Sequence, residues 1–170
     1  MTRTFSLAAL AAGTIFAASP AAAQPVSSTP QALILKPLVL TKLDDLSWGT
    51  INATGSGDWV KIDADTGART FSNPVMDVPS DPGKRARFAS AGLNNSWVVL
   101  ELSGPPVLTN GDGNTVTVMS MVLDQNNKVL RKLTPSSQVF FVGIGGTIYV
   151  APNQDDGVYS GTFTLTATYL

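Results

Sequence analysis

The most constraining feature of this sequence is the strict alternation of its last residues, from Tyr159 to Tyr169. Odd-numbered positions carry aromatic, aliphatic or glycine residues, and the even-numbered positions carry Ser160 and four threonines. This period of two is typical of a β-strand with one face in a core and the other in solvent. Such a strand either closes a sheet or leaves an edge to which another chain can add. The pattern therefore favours assembly or binding over catalysis.

The N-terminus carries the pattern of a secretion signal. Arg3 supplies the positive region, residues 5–18 the short apolar region, and Ala21–Ala23 the small-residue cleavage site. We expect a signal peptide over residues 1–23, a flexible polar leader over 24–31 and a single β-sandwich domain over 32–170. No later segment is apolar enough to span a membrane. We therefore expect an exported protein, in the periplasm and then at the cell surface or outside the cell.

The composition argues against an enzyme. The chain has no histidine and no cysteine, which removes the Ser-His-Asp and Cys-His nucleophilic sites and nearly all zinc sites. Glu101 is the single glutamate, and most aspartates lie in turn signals, where aspartate is favoured for local hydrogen bonds. We expect no catalytic residue, no cofactor and no metal. Asp63–Gly67 resembles the start of a calcium loop but lacks the later glutamate, so a plain hairpin turn is favoured. The near-neutral charge predicts no nucleic-acid partner.

Short β-type segments separated by turn signals predict eight or nine strands and no amphipathic helix outside the signal. This combination is typical of an all-β sandwich. The turn at Ala64–Gly67 predicts a hairpin, and the glycines at 143, 145 and 146 predict a bulge. The predicted strands include residues 58–63, 68–72, 85–91, 96–102, 115–123, 128–133 and 138–151.

Three tryptophans are candidates for a sugar-binding surface. Trp97 lies in a segment rich in valine and leucine, so core packing is expected for it, whereas Trp59 flanks the hairpin and is expected at the surface. Trp48 completes the set. The alternative function is therefore a self-complete secreted β-sandwich that binds a glycan or another surface ligand.

Three segments in a fixed order resemble a known family. They are residues 37–51, which read PLVLTKLDDLSWGTI, residues 145–150, which read GGTIYV, and residues 157–170, which end in TATYL. The set resembles the bacterial exported family called domain of unknown function 4402, which is similar to spore-coat-U-like and archaic chaperone–usher pilus subunits. Trp48 departs from that pattern, since the family usually has phenylalanine before the Gly-Thr-Ile. The resemblance implies an immunoglobulin-like antiparallel β-sandwich that lacks its own last strand.

The resemblance also implies a function. The protein would be a structural subunit of a pilus or fimbria-like cell-surface filament, built head-to-tail from copies of itself by donor-strand exchange. A periplasmic chaperone and an outer-membrane usher would be its other partners. The terminal strand would form one wall of the acceptor groove, with Tyr159, Phe163, Leu165, Ala167 and Tyr169. Residues 32–40 would be the donor strand, offering Leu33, Ile34, Leu35, Leu38 and Leu40.

Residues 32–40 have a second interpretation, as the domain's own first strand. A pilus subunit usually carries a donor extension ahead of that strand, and residues 24–31 are too polar to donate well. Either one apolar stretch serves both purposes, divided at Pro37, or the domain is self-complete.

Overall fold

The computed structural model describes residues 36–170, so the predicted signal, the leader and residues 32–35 lie outside the described residues. Among residues 36–170 the regular structure is β-strand except for a short 3₁₀ turn at Pro74–Met76 and a single turn at Asp124–Asn127. In this part of the chain no helix is long and apolar enough to cross a membrane. The strands are β1 (Val39–Asp44), β2 (Asp58–Ile62), β3 (Arg69–Phe71), β4 (Ala86–Ala91), β5 (Trp97–Ser103), β6 (Val107–Thr109), β7 (Thr115–Leu123), β8 (Leu130–Lys132), β9 (Val139–Val150) and β10 (Thr164–Tyr169).

The strands form two antiparallel sheets. The larger sheet has β9 at its centre, with β4 and then β1 on one side and β7 and β6 on the other. The hairpin β2–β3 joins the same sheet through β2. The smaller sheet has the order β10-β5-β8. The predicted all-β antiparallel sandwich is confirmed, and the turn predicted at Ala64–Gly67 does join β2 to β3.

Strand β9 changes partner halfway along its length. Residues 139–144 pair with β4, residues 146–150 pair with β2, and β7 follows the opposite edge from residue 144 onward. The predicted bulge at the glycines is wrong, because the register shift lies in β7, between Val118 and Ser120. The glycines instead allow close approach of neighbouring backbones. A Cβ on Gly145 would lie 2.2 Å from the carbonyl oxygen of Ile62.

The core between the sheets has two parts. The upper core lies toward the end of the sandwich where β1 begins and β10 ends, and the lower core lies toward the other end. The alternating strand pattern supplies both, because inward side chains recur at every second residue. The upper core consists of Ala86, Phe88, Val98, Leu100, Leu123, Leu133, Val142 and Ile144. The lower core consists of Val60, Met76, Leu108, Val116, Ile148 and Val150.

The last strand is shorter than its sequence pattern predicts. Strand β10 begins at Thr164, so Tyr159 and Phe163 precede it instead of belonging to it. Ser160 forms only an isolated bridge with Thr109. The alternation before Thr164 reflects side chains that turn toward and away from the core, without a continuous ladder of backbone hydrogen bonds.

Candidate functional site

The second edge of β10 has no strand partner among residues 36–170. The backbone nitrogen of Leu170 donates to the carbonyl oxygen of Trp97, which continues the β10–β5 register by one hydrogen-bonded pair. In an antiparallel ladder such pairs alternate. The backbone groups of Leu165, Ala167 and Tyr169 therefore point away from β5, toward the open edge. Each supplies one N–H donor and one C=O acceptor to an added strand.

The side chains next to this open edge belong to the core but are only partly covered. Leu165, Ala167 and Tyr169 face inward and are half-buried, and Phe163 packs edge-to-face on Phe88 with ring centroids 6.1 Å apart. Two half-buried leucines near the start of the larger sheet pack against the same upper core. We call this set the terminal groove: Leu38, Leu40, Phe163, Leu165, Ala167 and Tyr169. Its residues are those that an inserted strand would cover.

A cleft of about 530 Å³ adjoins the lower core. One wall is residues 46–53, which follow β1, and the other is residues 154–161, which precede β10. Its lining includes four members of the lower core, Leu108, Val116, Ile148 and Val150. We call it the lower cleft. Along the chain, the first wall of the lower cleft follows Leu40 and the second precedes Phe163, so each wall continues from one side of the terminal groove.

Arg69 holds the first wall of the lower cleft. Its side chain is 4% exposed and forms an ion pair of 2.6 Å with Asp77. Its Nη1 donates to the carbonyl oxygens of Trp48 (2.8 Å), Thr50 (3.0 Å) and Asp81 (2.9 Å). One buried guanidinium thus fixes the wall segment to the loop that follows β3. The Trp48 indole nitrogen also donates to the carbonyl oxygen of Gly146, at 3.1 Å.

The second wall is held by Tyr159 and by backbone contacts. The Tyr159 hydroxyl donates to the carbonyl oxygen of Asp155 at 2.8 Å and accepts from the side-chain nitrogen of Gln154 at 2.8 Å. The backbone nitrogen of Asn153 donates to the carbonyl oxygen of Thr54 at 2.8 Å. The Asn153–Thr54 bond joins the two wall segments at one end of the cleft, and the apolar floor lies between the two walls.

The geometry fits the binding of an extended apolar segment. A strand beside β10 would pair with its free backbone groups, and alternate side chains would enter the terminal groove and the lower cleft. Within residues 36–170 no group of three or more carboxylates, histidines or cysteines is placed to hold a metal ion.

Comparison with known families decides the affiliation of the chain. A family model described as "Domain of unknown function (DUF4402)" matches residues 38–169. The chain belongs to the DUF4402 family. No curated protein and no solved structure matches it. The matched region of this DUF4402 domain begins just before β1 and ends at the last residue of β10, so it includes both walls of the terminal groove.

The predicted donor residues of this DUF4402 protein fall into two groups, those ahead of the described residues and those within them. Leu33, Ile34 and Leu35 lie outside the described residues. Leu40 belongs to β1, where it pairs with Ser90 of β4, and Leu38 directly precedes that strand. Both leucines pack on the upper core of their own domain. Residues 38–40, which directly follow Pro37, therefore belong to the domain's own fold.

The groove residues predicted from the terminal pattern are also divided. Phe163, Leu165, Ala167 and Tyr169 come together in the terminal groove, whereas Tyr159 packs on the lower core and lines the lower cleft. The residues 46–53 that form the opposite wall were not predicted as site residues. Nothing in their sequence signals this role, because it arises from the clamp that Arg69 makes with a distant loop.

The three tryptophans do not share one surface. Trp48 is half-buried and lines the lower cleft. Trp59 is exposed and pairs with Tyr149 across β2 and β9. The core position predicted for Trp97 is wrong, because this residue is 41% exposed and the Lys132 ammonium lies 5.4 Å from its ring centroid. Trp97 faces outward because Val98 and Leu100, which alternate with it, take the inward positions.

Two aspartates outside the terminal groove, Asp58 and Asp63, have pKa values below the ordinary aspartate value. Hydrogen bonds from Thr54, and then from Ser72 and Ser56, lower the pKa of Asp58, although desolvation opposes them. The backbone and then the hydroxyl of Thr66 lower the pKa of Asp63, again against desolvation. Asp58 accepts these bonds at the start of β2 and Asp63 accepts them in the hairpin turn, so both carboxylates have a structural role.

Proposed function

We propose that this DUF4402 protein is a structural subunit of a pilus or fimbria-like surface filament, assembled by donor-strand exchange. The observation that carries the proposal is the open edge of β10, which lies beside half-buried residues that pack on the upper core. An edge strand that presents unpaired backbone groups is a template for strand addition. Here the edge and the apolar opening coincide, so an added strand would satisfy both at once.

The donor in this proposal is the segment that ends at Leu35. Leu38 and Leu40 are committed to the upper core of their own domain, so they cannot also leave it for a neighbour. The residues ahead of Pro37 include Ala32, Leu33, Ile34 and Leu35, which are apolar on both alternating faces. We therefore assign the donor role to residues 32–35, with the polar residues 24–31 as their extension.

Exposed core surface explains why additional partners are expected. A subunit with an unfilled groove leaves apolar residues accessible and is prone to aggregate. A periplasmic chaperone that covers the edge of β10 would prevent this until an usher delivers the next subunit. The proposal therefore includes export to the periplasm, where the chaperone would act, and then assembly at the cell surface.

The first test is the assembly state of protein exported to a bacterial periplasm. Full-length protein should give a ladder on denaturing gels when unheated, and the ladder should collapse to monomer on heating. A variant whose signal is joined directly to Lys36, without residues 24–35, should give no ladder. A stable monomer from both proteins would contradict donor-strand exchange.

Point substitutions separate the two halves of the proposed contact. Ala167→Asp introduces a charge into the terminal groove, and its matched control is Thr168→Asp on the exposed face of the same strand. Leu33→Asp with Ile34→Asp disables both faces of the donor, and its control is Ser28→Asp. Each defective protein alone should be monomeric and each control should polymerise. Co-expression of the two defective proteins should give a heterodimer and nothing longer, because only one donor and one groove remain intact.

A glycan-binding role is the second candidate, favoured by the exposed cross-strand pair of Trp59 and Tyr149. Exposed aromatic rings can stack on sugars, and this pair lies on the outer face of the larger sheet, away from the lower cleft. A monomeric protein whose tryptophan fluorescence changes with added oligosaccharide, and no longer does so in Trp59→Ala, would support this role.

A further inference from the structure

We propose that consecutive copies also touch end to end, through an apolar contact separate from the inserted strand. On one copy the contact is the apical patch, defined as Val39, Val139 and Phe141. On the next it is Val158, at the rim of the lower cleft. The inference rests on the proposed function, because it uses the position that an exchanged donor would give to a second copy.

The apical patch lies on the outer face of the larger sheet. Val39 of β1 pairs with Ala91 of β4, and Ala91 pairs with Val139 of β9. Phe141 lies two residues further along β9, on the same face as Val139. Val39 is 51% exposed and Phe141 is 57% exposed. The patch lies next to the point where the described chain begins, since the Lys36 ammonium donates to the side chain of Gln138 at 3.0 Å. Several large apolar side chains are thus exposed close to the origin of the donor segment.

Val158 is the corresponding feature at the opposite end. It is 87% exposed, although its neighbour Tyr159 packs on the lower core. The loop that carries it is fixed by the contacts of Asn153 and Tyr159 described above, so Val158 is displayed on an ordered rim. Asp155 and Asp156 are exposed beside it.

The distribution of apolar residues sets the orientation of the donor. Within residues 24–35 the continuous apolar run is at the C-terminal end, from Ala32 to Leu35. The lower cleft, whose lining includes residues of the lower core, lies ahead of the start of β10. Matching the two puts Leu35 of the donor copy near Val158 of the acceptor copy.

Chain length then determines what lies next to Val158. Only Lys36, Pro37 and Leu38 separate Leu35 from Val39. Four consecutive Cα steps span at most about 14 Å. Val39 of the donor copy therefore lies within about 14 Å of Leu35, which brings the apical end of the donor copy to the lower rim of the acceptor copy, where Val158 is exposed. The charges agree, because Lys36 of the donor copy comes close to Asp155 and Asp156 of the acceptor copy.

Engineered disulfides test this contact without background, because the chain contains no cysteine. Val39→Cys and Val158→Cys are introduced on separate full-length chains that are co-expressed in the oxidising periplasm. A disulfide requires Cα atoms within about 7 Å, so Val139→Cys serves as a second position on the apical patch. The control replaces Val158→Cys by Val129→Cys, at an exposed residue that directly precedes β8 of the smaller sheet.

The gel distinguishes the two levels of the proposal. Heating removes a strand-exchange ladder but not a disulfide. We expect a heat-resistant heterodimer that reductant abolishes, in at least one apical pairing with Val158→Cys and in neither control. An unheated ladder without any heat-resistant dimer would overturn the end-to-end contact and leave strand exchange standing. The absence of an unheated ladder would overturn strand exchange and the contact together.

Discussion

The Tyr169 hydroxyl donates a hydrogen bond of 3.0 Å to the carbonyl oxygen of Lys36 and accepts one of 2.6 Å from the backbone nitrogen of Leu93. One side chain therefore joins the last strand to the segment that precedes the first strand. The contact bridges the upper end of the terminal groove, where the last strand meets the segment before the first strand. The domain can thus hold its two ends together and still leave β10 open to a partner.

Tyr169→Phe should lower the free energy of unfolding by about 1–3 kcal/mol, because it leaves the Leu93 nitrogen and the Lys36 carbonyl without this partner. Urea denaturation of the isolated domain, followed by circular dichroism, measures the change. The matched control is Tyr149→Phe, whose hydroxyl has no hydrogen bond to residues 36–170 and which should differ little from wild type. Equal stability of all three proteins would show that the Tyr169 bridge is unimportant.

Arg69→Met should lower the free energy of unfolding by about 3 kcal/mol. The substitution removes the ion pair with Asp77 and leaves several inward-facing carbonyl oxygens without a donor. Because these carbonyls belong to the wall of the lower cleft, polymer formation should fall as well. Arg87→Met is the control, since its ion pair with Asp44 is long, at 3.7 Å, and exposed, and such pairs contribute less than about 1 kcal/mol. A similar loss in both variants would argue against a specific clamp.

The sequence predicts the sheet strands well where polar and apolar residues alternate clearly. Residues 85–91 and 115–123 were predicted as strands, and β4 and β7 occupy nearly the same bounds. The core position predicted for Trp97 is wrong because its segment carries apolar residues on both faces. Where both faces are apolar, the pattern does not indicate which one points inward.

The candidate site is only partly readable from sequence. The half-buried face of β10 follows from its alternation, but the lower cleft depends on contacts between distant segments. Arg69 illustrates the difference, because its partners at Trp48 and Asp81 are backbone carbonyls. A backbone carbonyl is present at every position and therefore leaves no trace in the sequence.

Asp63 should make stability depend on pH in the acid range. Hydrogen bonds from the Thr66 backbone and hydroxyl lower its pKa in the folded protein, so its contribution is fully present above the ordinary aspartate value of about 4. The contribution is lost as the pH falls through the lower folded value. Asp63→Asn should therefore flatten the acid limb of a plot of stability against pH, measured by urea denaturation.

Asp112→Asn is the control for this titration, since Asp112 is an exposed turn residue. A carbon-detected NMR titration of the wild-type carboxylates gives the folded value directly. An Asp63 carboxylate that titrates at or above the ordinary value would contradict the hydrogen-bonded turn.

Gly145 lies where the pairing of β9 passes from β4 to β2, and Gly145→Ala tests whether close backbone packing at this position is needed for stability. The added Cβ would lie 2.2 Å from the carbonyl oxygen of Ile62 and 2.7 Å from the backbone nitrogen of Ala64. Both obstacles are backbone atoms, so the hairpin end has to move away from β9. Overpacking of this kind costs about 1–3 kcal/mol, which denaturation will detect. Gly55→Ala is the matched control, because its nearest neighbour would be a side-chain oxygen 3.9 Å away. Since β2 also carries Val60 of the lower core, its displacement should reduce polymer formation in Gly145→Ala, whereas Gly55→Ala should polymerise normally.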